Sequence, residues 1–121
     1  MNQENKPNII LEKSFAFSVR IVKLYKWFYK NHSEVLPLAK QLLRSGTYIG
    51  ANAEEADGAY SKKDFSAKFG ICLKEAKETK YWIRLLYASE YLDENMYSSL
   101  KYDIEELIKI ITAILKSSRG N

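Results

Sequence analysis

Residues 62–86, KKDFSAKFGICLKEAKETKYWIRLL, decide the fold class. Within them Phe65, Phe69, Cys72, Ala76, Thr79, Ile83 and Leu86 recur at alternating steps of four and three. That spacing lines one side of an α-helix and suits packing at a shallow crossing angle, whereas a half-buried strand would alternate every second residue. Ser61 stands just before the stretch and Asp64 three residues later, which reads as an N-cap within an acidic variant of the capping box. The stretch predicts a helix over about 62–91.

The same period continues on both sides. After a short polar turn at Asp93 to Asn95, the residues Tyr97, Leu100, Ile104, Leu107, Ile111 and Ile114 predict a helix over about 95–117. Gly120, beyond the basic last turn, reads as its stop. Upstream, Ala39, Leu42 or Leu43, Gly46, Ile49 or Gly50, Ala53 and Ala56 form the inner face of a helix over about 34–57. Ser33 is its expected cap, and Pro37 falls in the first turn, where an amide lacks an intrahelical partner in any case. Gly46 and Gly50 each cost about 1 kcal/mol of helix propensity relative to alanine, so their presence predicts the close approach of a neighbouring helix. Phe17, Ile21, Leu24 and Phe28 mark a first helix over about 9–31, with Ile10, Phe15, Val22 and Tyr25 widening its stripe.

Four long amphipathic segments with short links predict an all-α, antiparallel up-down-up-down four-helix bundle. No repeat, linker or shift in composition divides residues 1–121, so one domain is expected. A chain of this length can bury a full core without a staple, and 46% hydrophobic residues with two prolines argue against disorder. The single cysteine, Cys72, excludes an internal disulfide, and its neighbours Phe69, Leu73 and Ala76 read it as buried. Met1 to Lys6 is polar and unlike a secretory signal, and the longest apolar run, Ile110 to Leu115, is too short to cross a bilayer. A cytoplasmic protein with no membrane partner is the expectation. The last helix is apolar over more than half its circumference, and the third carries Tyr81, Trp82, Leu85, Tyr87 and Tyr91 outside its seam. This surplus predicts self-association, the alternative being a single widened core.

Glu54, Glu55, Glu75 and Glu78 suggest a carboxylate metal site, but a di-iron bundle needs Glu-x-x-His on each of two helices, and the one histidine, His32, falls in a loop. The same shortage leaves the serines and Cys72 without a base for nucleophilic chemistry. No enzyme activity, metal or cofactor is assigned, and the acidic groups are read as pairing with Lys74, Lys77, Lys80 or Arg84 on neighbouring turns. The net charge is +4. Arg20, Lys23, Lys26 and Lys30 on the first helix, with Lys62, Lys63 and Lys68 opening the third, are candidate phosphate contacts of a nucleic-acid-binding oligomer. The competing readings are a solvated charged face and a scaffold that docks another protein.

The stretch 44–65, RSGTYIGANAEEADGAYSKKDF, continued by 74–86, KEAKETKYWIRLL, resembles the bacterial four-helix-bundle family of proteins encoded in intervening sequences of 23S ribosomal RNA. The family pattern Ser-Gly-Thr-Ser-x-Gly-Ala-Asn-x-Glu-Glu-Ala, then Asp-Phe, then Lys-Glu-Ala-x-Glu-Thr-x-Tyr-Trp, is met at nearly every fixed position. Tyr48 departs from it, standing where the family usually has serine. Asn52, Glu55, Glu75 and Glu78 match fixed polar positions, where hydrogen bonding across the bundle is the expected role and ligand contact the alternative. The resemblance implies a ring-like homopentamer. It also implies kinship with the accessory variability determinant of diversity-generating retroelements, and hence RNA or a reverse transcriptase as partner.

Overall fold

The computed structural model describes residues 2–119, with side chains described for 9–118. Four α-helices account for nearly all of it: α1 (Asn2–Asn31), α2 (Leu36–Asp57), α3 (Lys62–Ala88) and α4 (Glu94–Arg119). Each helix packs on its neighbour in the chain and α4 closes on α1, so α1 and α3 occupy opposite corners. The four stripes meet in one core built from Phe17, Ile21 and Phe28 of α1, Ile49 and Ala53 of α2, Phe69 and Ile83 of α3, and Ile104 and Ile111 of α4. No helix among the described residues is long and apolar enough to cross a membrane.

The two glycines of α2 do what their propensity cost implies. A Cβ on Gly46 would stand 3.1 Å from Ile21 Cγ1, and one on Gly50 would stand 3.3 Å from the Ser14 carbonyl oxygen and 3.2 Å from Ser18 Oγ. Backbone of α1 therefore lies directly on α2, at a distance that larger residues would not allow.

Helix ends differ from the sequence reading in instructive ways. At Ser33, a 3-10 turn (Ser33–Val35) precedes α2 and no side chain caps it; the tight turn delivers Val35 into the core. The expected cap at Ser61 is present, its Oγ accepting the Asp64 amide at 3.0 Å. α3 ends at Ala88 rather than Tyr91, because Glu90 adopts a left-handed conformation at φ 68°. The Tyr91 amide then bonds the Leu86 carbonyl at 2.9 Å and the Glu90 amide bonds that of Tyr87 at 3.0 Å, the paired closure of a Schellman motif. Asp93 opens α4 by accepting the Met96 amide at 2.7 Å. α1 extends back to Asn2 through polar residues that carry no apolar period. The stop expected at Gly120 lies outside the described residues.

One reading of apolar surface is corrected. Phe15 and Val22 do not widen the core stripe of α1 but face outward, Phe15 at 64% exposure. At 3.6 residues per turn, Phe15 sits about 200° from Phe17, on the opposite side of the helix. Part of the aromatic surplus packs within the molecule: Tyr87 of α3 stacks on Tyr97 of α4 at 3.9 Å, and Tyr91, just beyond α3, packs edge-on against His32 at 5.5 Å. Tyr81 stays about half exposed.

Candidate functional site

The residues singled out by motif gather on the seam between α2 and α3. Two turns of each helix supply a polar row above the small, close-packed positions of the core. Arg44 is its centre: Nη2 donates to Glu78 Oε2 at 2.5 Å, and Nη1 stands 3.6 Å from Glu75 Oε1. The Trp82 indole N–H donates to the same Glu78 oxygen at 3.0 Å. These donors, the indole first and then the guanidinium, hold the Glu78 carboxyl below its usual range, and the bond to Glu78 raises Arg44.

Glu75 is buried at 7% exposure, and its Oε1 has no hydrogen-bond partner among the described residues. The charge of Arg44 is the nearest compensation. Beneath this row the Thr79 hydroxyl lies 2.8 Å from Ser45 Oγ and 2.7 Å from the Glu75 carbonyl, a buried polar pair satisfied within the bundle. Cys72 is buried beside them, its Sγ 3.5 Å from the Ile49 carbonyl, and burial pushes its thiol up to about 12. So shielded, the thiol stays protonated at neutral pH.

Farther along the seam Lys68 Nζ bonds Glu55 Oε1 at 2.9 Å. Asn52 does not reach across: its amide donates to the Tyr48 carbonyl one turn back at 2.9 Å. The acidic partners are thus not the helix neighbours Lys74, Lys77 and Arg84, because Glu55, Glu75 and Glu78 all point into the seam, where the opposite helix offers Lys68 or Arg44. Lys80 turns the other way and pairs with Glu105 of α4 at 2.9 Å. Tyr48 is half exposed and lies under the Arg44 guanidinium at 5.6 Å from its ring centroid. A side chain larger than serine is accommodated there because it leaves the core and packs against a cation. Arg44 and Trp82 organise the row, although in the sequence Arg44 is marked only by its place in the motif, and Trp82 by that place and as one of the aromatics outside the seam.

The basic candidates divide. Arg20 is tied to Asp103 of α4 at 2.7 Å and Lys68 to Glu55. Lys23, Lys26, Lys30, Lys62 and Lys63 are exposed and have no ion-pair partner among the described residues. They form two groups at opposite ends of the bundle. Lys30 sits at the end where His32 meets Tyr91, and Lys62 at the end where Ser66 bonds Ser118, roughly 40 Å away along α3.

Comparison with known proteins follows the same lines. The family model of the 23S rRNA-intervening sequence protein matches residues 6–113. A crystal structure of a protein of unknown function from Bacteroides thetaiotaomicron, assigned to the S23 ribosomal protein family, superposes with a TM-score of 0.87 at 47% identity, covering 92% of this chain and 98% of its own. No curated protein matches the chain.

Proposed function

We propose, given that the chain belongs to the 23S rRNA-intervening sequence protein family, that it is a non-catalytic assembly module: an antiparallel up-down-up-down bundle whose copies join head to tail in a ring of the homopentameric kind. The antiparallel order is supported by partner numbers that fall on one helix as they rise on the next, Arg44 with Glu78 and Glu55 with Lys68. Lys13 with Glu106 and Arg20 with Asp103 repeat the pattern between α1 and α4.

The observation that carries assembly is the outer face of α1. Phe15, Val19, Val22 and Tyr29 are all exposed at steps of four, three and seven, a second apolar stripe on a helix whose first stripe already fills the core. Exposed apolar residues also occur across the molecule at Ile71 and Tyr81 of α3 and Tyr102 of α4. Two unlike apolar faces at opposite corners of one chain suit heterologous contacts, which make a ring when the rotation closes.

The test is mass in solution. The chain should run as an oligomer at micromolar concentration, and Phe15→Glu with Val22→Glu should release folded monomers. A monomeric parent protein would overturn the reading.

A second reading, nucleic-acid binding, is favoured by the unpaired group Lys23, Lys26 and Lys30 on α1. Repeated around a ring these would offer phosphates many contacts of weak sequence preference and steep salt dependence. Filter binding of structured RNA at low salt, lost on Lys23→Glu with Lys30→Glu, is the expected result; no retention at low salt refutes it. Docking of a protein such as a reverse transcriptase would instead survive those substitutions.

A further inference from the structure

At the end of the bundle where α1 and α3 finish lies a cleft of about 510 Å³, lined by Trp27, His32, Tyr87, Glu90, Tyr91, Leu92, Asp93 and Met96. Its volume falls within the range of small-molecule sites, about 300–1,000 Å³. One wall is aromatic and continuous: the rings of Trp27 and His32 are 5.1 Å apart, and those of His32 and Tyr91 are 5.5 Å apart. Two carboxylates, Glu90 and Asp93, belong to the lining and no lysine or arginine does. Glu34 adds negative charge at the edge, 3.7 Å from His32 Nδ1.

Glu90 supplies a second observation. It is the only non-glycine residue with positive φ among those described, and it occupies the position of the α3 closure where glycine is usual. A strained residue of this kind is a pointer to function, and here it is a lining residue of the cleft. Aromatic faces with negative charge beside them, and neither lysine nor arginine in the lining itself, attract a positively charged group whose hydration is weak, above all a methylated ammonium.

We propose that this cleft is a binding site for a small, free organic cation bearing a methylated ammonium group. The inference does not rest on the assembly reading, because every lining residue comes from one chain.

The probe is choline, with 3,3-dimethylbutan-1-ol as its neutral isostere, titrated into the full-length protein while the indole N–H resonances of Trp27 and Trp82 are followed by NMR. Trp27 should shift saturably in the millimolar range with choline and not with the alcohol, while Trp82, on the α2–α3 seam, stays still. Glu90→Gln should weaken choline by about fivefold with the fold intact, as should Tyr91→Ala. Equal shifts with choline and the alcohol, or no shift of Trp27, would overturn the proposal. So would retention of the protein on phosphatidylcholine vesicles without binding of free choline, which would assign the site to a lipid headgroup.

Discussion

Replacing Glu90 by glycine should make the protein more stable. The residue sits at φ 68° and closes α3 through two backbone hydrogen bonds that need that conformation. For an L-residue the left-handed region costs about 1–2 kcal/mol, from the crowding of Cβ against the following carbonyl. Glycine escapes that cost but brings extra freedom to the unfolded chain, worth about 0.4–1 kcal/mol in the opposite sense. The net gain is about 0.5–1 kcal/mol. With an unfolding entropy of about 2.1 cal/mol/K per residue, this corresponds to a rise in Tm of about 2–4 °C. Thermal melts followed by circular dichroism would read it, at matched concentrations because the Tm of an oligomer depends on concentration. Glu90→Ala is the control, since it removes the carboxylate and keeps the backbone penalty. If Glu90→Gly melts no higher than Glu90→Ala, the conformational argument is wrong. The same glycine variant should bind choline less well, so that stability and ligand affinity move in opposite directions at one residue.

Gly50→Ala and Gly70→Ala should shift urea midpoints in opposite directions. A Cβ at Gly50 meets the α1 backbone at 3.3 Å and forces the helices apart, costing about 1–3 kcal/mol against a propensity gain of about 1 kcal/mol; one at Gly70 meets nothing within 4 Å, so the propensity gain stands alone. Stability should also fall in acid through Glu78. Its carboxyl is held below the ordinary value of 4.5 in the folded state, so its contribution is complete above that pH and is lost as pH drops through the folded value. Glu78→Gln should flatten the decline of the urea midpoint on the acid side, and an unchanged slope would refute this. Cys72 should resist alkylation in the native protein at mildly basic pH, since burial pushes its thiol up to about 12, and react once denaturant opens the bundle. Rapid stoichiometric labelling without denaturant would contradict that placement.

The inner faces of α2, α3 and α4 were legible in the sequence because their apolar residues keep helical period without a break, and Gly46 and Gly50 announced a close neighbour by their very cost. Period failed where it had nothing to read. The polar start of α1 carries no stripe, and α3 stops at a left-handed glutamate where glycine would have given the signal. Phe15 and Val22 were misplaced because α1 bears two apolar stripes, and a rich helix does not say which one faces inward until its neighbours are set. The polar seam was visible as a set of residue types, but not its pairing. Arg44 and Glu78 are far apart in sequence, and only the packing of α2 on α3 brings them together.

That packing also explains why the most recognisable part of the sequence is not where ligand or partner is proposed. Gly46 and Gly50 admit α1, Ser45 pairs with Thr79, and Arg44 and Glu55 reach Glu78 and Lys68, so the motif is spent on joining α2 to its two neighbours. Changes there should reach stability first. Arg44→Ala removes the partner of Glu78 and leaves the buried Glu75 oxygen with no cation at 3.6 Å, a loss of about 1–3 kcal/mol, above the roughly 0–1 kcal/mol of an exposed ion pair. Adding Glu75→Gln to Arg44→Ala should recover part of that loss, since a neutral amide tolerates the site better than a stranded carboxylate. If the double variant is as unstable as the two single losses added together, Glu75 and Arg44 do not act as a pair. By contrast, Phe15→Glu should alter mass, and Glu90→Gln ligand affinity, at nearly constant monomer stability, which separates what folds this chain from what it presents to others.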